Sequence, residues 1–296
     1  MIQGDDIRRL VDLLTERSVF LYHARQLLDF RSYQDQEVRG IPSRALLKAR
    51  ELPFTPFETD EDDLNKDVWN KVFLNFEDFG TIFADGKKGV PTPYGPISLK
   101  IGPEILNEAK DIDVSLVPVG SNYYSERISL KIDDIDGIFK YPSYYGPPQS
   151  TEVKCKDKLQ EDFACPTKPS GPDLSCTVIG GKLPFKRYVK KICVDPYTIN
   201  GKPLRDWAAE AAPPHLDSFF QERLSVRKPL YNELARLISN GVSDIRVLLQ
   251  SSRVSKELSD WAREIEGQNL GYQFRRYANY LRYGTLQETL DDDEPF

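Results

Sequence analysis

His23 is one of only two histidines in the chain, and it lies inside the run VFLYHAR at residues 19–25. A histidine in that position has two chemical uses. It can be a core residue bonded to backbone, or an imidazole that hydrogen-bonds a ligand. Glu152 opens the strand-like run TEVKC directly after the proline- and aromatic-rich stretch GIFKYPSYYGPPQS. A carboxylate so placed could stabilise developing positive charge or accept a proton; the ordinary alternative is a solvated strand residue. Arg44 sits in a turn after Gly40, and Arg50 ends the run LLKAR. Either guanidinium could hold a phosphate in a bidentate fork, or simply be solvated. With His23 and His215 as the only histidines, no Ser-His-Asp order can be assembled, and no P-loop or GxGxxG is present.

The elements that must position these residues follow from hydrophobic periodicity. Asp5 to Glu16 reads as a helix, with Ile7, Leu10, Val11 and Leu14 at helical spacing and Asp5 or Asp6 as its cap. Ser18 to His23 reads as a strand, and Leu27, Leu28, Phe30 and Tyr33 as a second helix ended by Gly40. Further strands are expected at Val72 to Phe76, Tyr94 to Ile101, Val114 to Val119, Ile128 to Ile132, Thr151 to Cys155 and Tyr188 to Val194. Residues 53–68 read as an exposed acidic loop, and 166–187 as irregular. After Asp195 the pattern turns helical: Leu204 to Ala211, Leu216 to Leu224, Pro229 to Ser239, Ser243 to Leu249 and Ser255 to Arg282. The expected organisation is α+β, with one unit over 1–200 and a helical region over 201–296.

The bulk numbers narrow the class. The chain has 296 residues, 40% hydrophobic and 29% charged, as in ordinary soluble globular proteins. Its apolar runs fall far short of the roughly 20 residues a membrane span needs. MIQGDDIRRLVDLL lacks the pattern of a signal peptide, so a cytoplasmic location is expected. The net charge of −6 argues against nucleic-acid binding through bulk charge, while leaving room for a local basic groove. Cys155, Cys165, Cys176 and Cys193 show no CxxC and no paired histidines, so free thiols are expected rather than a metal site.

In order and spacing these segments resemble the ADP-ribosyltransferase superfamily, over roughly residues 18–156. The strand ending in Leu21, Tyr22 and His23, the helix after it and the turn at Gly40 are similar to the opening of that fold. FGTIFADGKK, through Thr81, Ile82, Phe83, Ala84 and Asp85, looks like the GIYFAD segment of its poly-ADP-ribose polymerase branch. PPQSTEVKC resembles the segment that carries the catalytic glutamate, with a pattern similar to that of the DNA-modifying DarT toxins. The chain departs from the family at several points: there is no clean arginine position, no Ser-Thr-Ser strand, and Thr81-Ile82-Phe83 lacks the usual tyrosine.

The resemblance implies an ADP-ribosyltransferase-like split mixed sheet and NAD as substrate. His23, Tyr22, Ser43, Phe83 and Tyr94 would contact NAD, Arg44 or Arg50 would hold its phosphates, and Glu152 would act at the ribose. Tyr144, Tyr145 and Gln149 would meet the acceptor, a nucleic acid (DNA or RNA) or a protein. It also implies a bacterial toxin or phage-defence effector with a cognate antitoxin. An RNA 2′-phosphotransferase shares the core and the use of NAD, and Lys87, Lys88, Arg44 and Arg50 could serve its phosphate. The helical third stands outside the resemblance. Its GYQFRRYANYLRYG interleaves aromatics with Arg275, Arg276, Tyr277 and Arg282, which could stack on bases and pair with phosphates, or simply form an amphipathic helix. The alternative reading of the whole chain is a non-catalytic α+β module that binds a partner through this region.

Overall fold

The structure is a computed structural model. It describes residues 1–54, 68–76, 78, 80, 84, 95–116, 128–138, 173–185, 187–212, 214–267, 274, 275 and 278.

The helical spacing of Ile7, Leu10, Val11 and Leu14 produces α1 (Asp5–Glu16), with all four residues buried. Its N-cap is Gly4, and neither aspartate caps it through a side chain, so Asp5 and Asp6 act in the first turn, where acidic groups suit the helix dipole. Before it lies the two-residue β1 (Ile2–Gln3). β2 (Leu21–Arg25) leads directly into α2 (Leu27–Tyr33), and β3 (Gly40–Pro42) into α3 (Arg44–Ala49). β4 (Lys71–Asn75), β5 (Ile97–Ile101) and β6 (Ala109–Leu116) follow, then β7 (Ile128–Ser129) and α4 (Ile132–Ile138). The chain continues through β8 (Asp173–Val178), β9 (Lys182–Pro184) and β10 (Val189–Val194).

Beyond Asp195 come the short pair β11 (Thr198–Ile199) and β12 (Lys202–Pro203), then α5 (Leu204–Ala211). β13 (Phe220–Glu222) precedes α6 (Lys228–Ser239), α7 (Ile245–Gln250) and α8 (Lys256–Gly267). None of the helices among the described residues is long and apolar enough to cross a membrane.

The fold is mixed α and β around a nine-stranded sheet in the order β1-β6-β8-β4-β2-β5-β10-β13, with β7 added beside β6. All its pairings are antiparallel except β10 with β13. Register fixes the two faces, because paired residues share a side and successive residues alternate. His23 pairs with Leu99, Leu99 with Ile192, and Ile192 with Phe220. With Leu21, Ile101, Leu74, Cys176 and Ile112 they make the buried apolar face, which joins α1 in one core. The other face carries Tyr22, Lys100, Lys191, Cys193 and Asn75.

Several expectations need correction. Residues 173–178, expected to be irregular, form β8 between β4 and β6. The helix expected over Leu216 to Leu224 is a 3-10 turn (Pro214–Phe219) followed by β13. The strand expected over Ile128 to Ile132 shortens to β7 and gives way to α4. The sheet itself continues past residue 200, since β13 pairs with β10. Cys176 and Cys193 are buried free thiols.

Candidate functional site

Strand alternation separates the two residues of the Tyr-His pair. Tyr22 and His23 stand on opposite faces of β2, so each must be read with the groups on its own side.

On the apolar face His23 is 2% exposed. Its Nδ1 lies 2.8 Å from the Phe73 carbonyl oxygen, which can only accept, so Nδ1 carries the hydrogen. Nε2 is then the acceptor, and it takes the Tyr33 hydroxyl at 3.0 Å. That hydroxyl accepts in turn from Arg25 Nε at 2.6 Å. Burial, followed by the charge of Arg25, pushes the His23 pKa well below its ordinary value, while the Phe73 bond opposes the shift. Burial likewise pushes the Tyr33 hydroxyl up to about 12, against the charges of Arg25 and Arg44. Both ring nitrogens of His23 are therefore committed to the protein, and a ligand could bond the ring only by displacing Tyr33 or Phe73.

Ser43 and the two candidate arginines belong to α3. Ser43 is its N-cap, with Oγ accepting from Leu46 N at 3.3 Å, and Ser43 N donates to the Gly181 carbonyl at 2.7 Å. β3 and β9 can pair this closely because Gly40 has no side chain: a Cβ there would stand 2.3 Å from the Leu183 carbonyl oxygen. Arg44 opens the helix half-buried, near enough for its charge to act on Tyr33. Arg50 is the C-cap, about 9 Å along the axis at 1.5 Å per residue, and pairs with Glu37 at the surface. The structure thus brings His23, Tyr33, Arg25 and Arg44 together and leaves Arg50 apart. Glu152, Phe83, Tyr94, Tyr144, Tyr145, Gln149, Arg276, Tyr277 and Arg282 lie outside the described residues. Arg275 is exposed, and its charge contributes to the lowered pKa of Asp244.

A second polar cluster, absent from the sequence-based expectations, occupies the other face where four strands end. One residue beyond the last aligned row, Gln26 follows β2, Pro96 precedes β5, Asp195 follows β10 and Arg223 follows β13. The ladder runs on here through Asp195 N to Pro96 O at 2.9 Å and Arg223 N to Val194 O at 2.8 Å. The Arg223 guanidinium is buried and forks between two carboxylates: Nη1 donates to Asp195 Oδ1 at 2.7 Å and Nη2 to Asp78 Oδ1 at 2.6 Å. Desolvation disfavours its charge, but Asp195 and Asp78 outweigh that and hold its pKa above the ordinary value.

Asp195 is fully buried. Burial raises its carboxyl to about 6, with Arg223 pulling the other way. Burial also raises Tyr22, and Asp78 adds to the shift. Among the described residues three side chains here keep unused hydrogen-bonding atoms in the interior: both amide atoms of Gln26, Asp195 Oδ2 and the Tyr197 hydroxyl. Gln26 caps α2 by position without bonding it through its side chain. Interior polar atoms are almost always satisfied, so two such groups, at the ends of β2 and β10 with β5 between them, are what a polar ligand could complete. The sequence signal available was slight: an aspartate directly after the apolar strand KKICV. Arg223 was hidden by its expected place on a helix.

No family model, curated protein or solved structure matches the chain.

Proposed function

We propose that this protein is an NAD-dependent ADP-ribosyltransferase, and that its nine-stranded sheet is an ADP-ribosyltransferase-like split sheet. The observation that carries this beyond the motif resemblance is the set of unsatisfied interior atoms at the ends of β2 and β10. The Gln26 amide offers a donor and an acceptor side by side, the pattern a primary carboxamide such as that of nicotinamide complements. Asp195 Oδ2 offers an acceptor for a ribose hydroxyl or an amide N–H. Tyr22 lies on this same face. Arg25, bonded to Tyr33 on the opposite face of β2, and Arg44, whose charge acts on Tyr33, lie beyond this strand end and supply positive charge suited to a diphosphate that passes around it.

NAD supplies an activated glycosidic bond. What the chain contributes is a grip on the nicotinamide side, charge for the phosphates and, at Glu152, a carboxylate to stabilise the developing positive charge of the ribose or to take a proton from the acceptor. In this reading His23 positions Tyr33 and Arg25 rather than touching NAD. The acceptor is a nucleic acid or a protein, with Tyr144, Tyr145, Gln149 and the Arg275 to Arg282 segment as its contacts. A toxin or defence role with a cognate antitoxin follows from the DarT resemblance.

Calorimetric titration of NAD into wild type beside Gln26→Leu tests the reading. Saturable binding, lost or strongly weakened in the variant, is expected. A folded wild type that takes up no NAD would sink the proposal.

A second reading has its own observation. Leu224 is 88% exposed and Val226 79%, immediately after β13, which ends the sheet among the described residues, the kind of edge that can pair with another chain. This supports the non-catalytic interaction module, which predicts no NAD binding and partner capture that Leu224→Lys abolishes.

A further inference from the structure

The C-terminal region reaches into the proposed site through Arg223. We propose that Arg223 is a positioning residue for ligand binding: it orients Asp195 and anchors the chain at Asp78 and Gly80, which makes residues up to 227 part of the binding unit. This rests on the reading that the ligand is NAD.

The geometry has four parts. First, the Arg223 fork joins residues far apart in the chain, Asp195 and Asp78, with bonds of 2.7 and 2.6 Å. Second, the guanidinium lies directly against Gly80. A Cβ on Gly80 would stand 2.5 Å from Cζ and 2.7 Å from each terminal nitrogen, so this contact exists only because residue 80 is glycine. Third, two residues on, Ser225 Oγ donates to the Ala84 carbonyl at 3.1 Å and accepts from Arg227 N at 3.0 Å. Residues 223–227 therefore hold Asp78, Gly80 and Ala84 in place. Fourth, Arg223 engages Oδ1 of Asp195 and leaves Oδ2 without a partner.

Stability alone is a poor reason for this arrangement. A buried guanidinium with its carboxylates is often no more stable than apolar residues of the same volume. The fork does what an apolar pair cannot do. It sets the plane of one carboxylate and keeps it ionised against burial. Lysine, a point charge, could not hold both partners in that geometry. The charged and titratable groups around Asp195 are Arg223, Asp78, Cys193 from β10 and Tyr231 from α6. Of these, Arg223 favours the ionised form of Asp195 and Asp78 disfavours it.

The test is NAD affinity of the full chain measured from pH 5 to 8 for wild type, Arg223→Gln and Asp78→Asn, with circular dichroism to confirm folding. Wild-type binding should weaken on acidification through about pH 6, as Asp195 takes up its proton. Arg223→Gln should bind NAD about tenfold or more weakly at pH 7, a loss of roughly 1.4 kcal/mol, with its inflection moved to higher pH. Asp78→Asn should move the inflection the other way. Opposite shifts are not expected of a merely structural contact. Folded variants that keep the wild-type affinity and inflection overturn the proposal while leaving the NAD reading intact. If Arg223→Gln does not fold, the direction of the Asp78→Asn shift decides. A wild type that binds no NAD removes both.

Discussion

The Tyr33 hydroxyl stands 3.0 Å from His23 Nε2 and 2.6 Å from Arg25 Nε, giving its proton to the first and its lone pair to the second. It is the shared partner of two side chains on β2. Tyr33→Phe removes it with little change in volume and leaves Nε2 of His23 without its donor in the interior. Leaving such a group unsatisfied costs about 1–3 kcal/mol. The variant should lose that much in urea unfolding, with an unchanged slope. A loss under about 0.5 kcal/mol, the range of an ordinary surface substitution, would mean the relay is not formed.

The same histidine sets an acid limit. Its folded pKa is depressed below the ordinary 6.5, so the neutral ring is the folded form. The stability this contributes is fully present above pH 6.5 and is lost as pH falls below it, because the unfolded chain takes up a proton that the folded chain refuses. The slope reaches about 1.4 kcal/mol per pH unit. Gln at this position does not titrate, and its amide can donate to Phe73 and accept from Tyr33. The advantage of wild type over His23→Gln should therefore shrink steadily between pH 7 and pH 5 in unfolding titrations. A pH-independent difference would contradict a buried neutral His23.

The contrast between these two clusters shows what was legible in the sequence. Helical spacing found α1, and the run of apolar residues before Gln26 found β2, because both patterns are local. β8 was missed although Leu174, Cys176 and Val178 alternate correctly. The polar residues between them, with Pro172 and Gly171 just ahead, read as a loop until β4 and β6 are placed on either side. β13 was missed because Phe219 and Phe220 fit a helix as well as a strand, and only its pairing with β10 decides. Tyr22 and His23 are adjacent in sequence, but their opposite faces follow only from β2 being a strand paired on both sides. Gln26, Asp195 and Arg223 could not be grouped from sequence, since only the folded sheet brings the ends of β2, β10 and β13 to one row.

Gly95 is the backbone support of that meeting point. Its φ is +123°, and a Cβ there would stand 2.3 Å from both the carbonyl carbon and oxygen of Arg25 and 2.6 Å from Gln26 N. Gly95→Ala must therefore either move the end of β2 or adopt a strained backbone, at a combined cost of roughly 2–4 kcal/mol. Gly180 is the control, since it has φ +67° but open space around it, so Gly180→Ala should cost only about 1 kcal/mol of backbone strain. Thermal unfolding of the two variants should show the larger drop for residue 95. On the proposed NAD reading, binding should fall only in Gly95→Ala. Equal drops would mean that the approach of Gly95 to Arg25 has no consequence.

Asp195 makes the opposite pH statement to His23. Its folded carboxyl is raised from 3.8 to about 6, so the protonated form is the one the fold favours. The stability from this shift is fully present below pH 3.8 and is lost as pH rises through 6, again by up to about 1.4 kcal/mol per unit. Above pH 6 the protein carries an ionised, fully buried carboxylate with one oxygen unbonded. Asn at this position is neutral throughout and can still accept from Arg223. Relative to wild type, Asp195→Asn should therefore gain stability between pH 4 and pH 6.5 and hold a constant difference above that, while on the proposed reading its NAD binding at pH 7 falls. Gain in stability joined to loss of binding is the pattern of a residue kept for its ligand. Urea unfolding at one-unit pH intervals, paired with calorimetry at pH 7, measures both. A variant that loses stability at every pH to the same extent would make Asp195 a structural partner of Arg223 and nothing more.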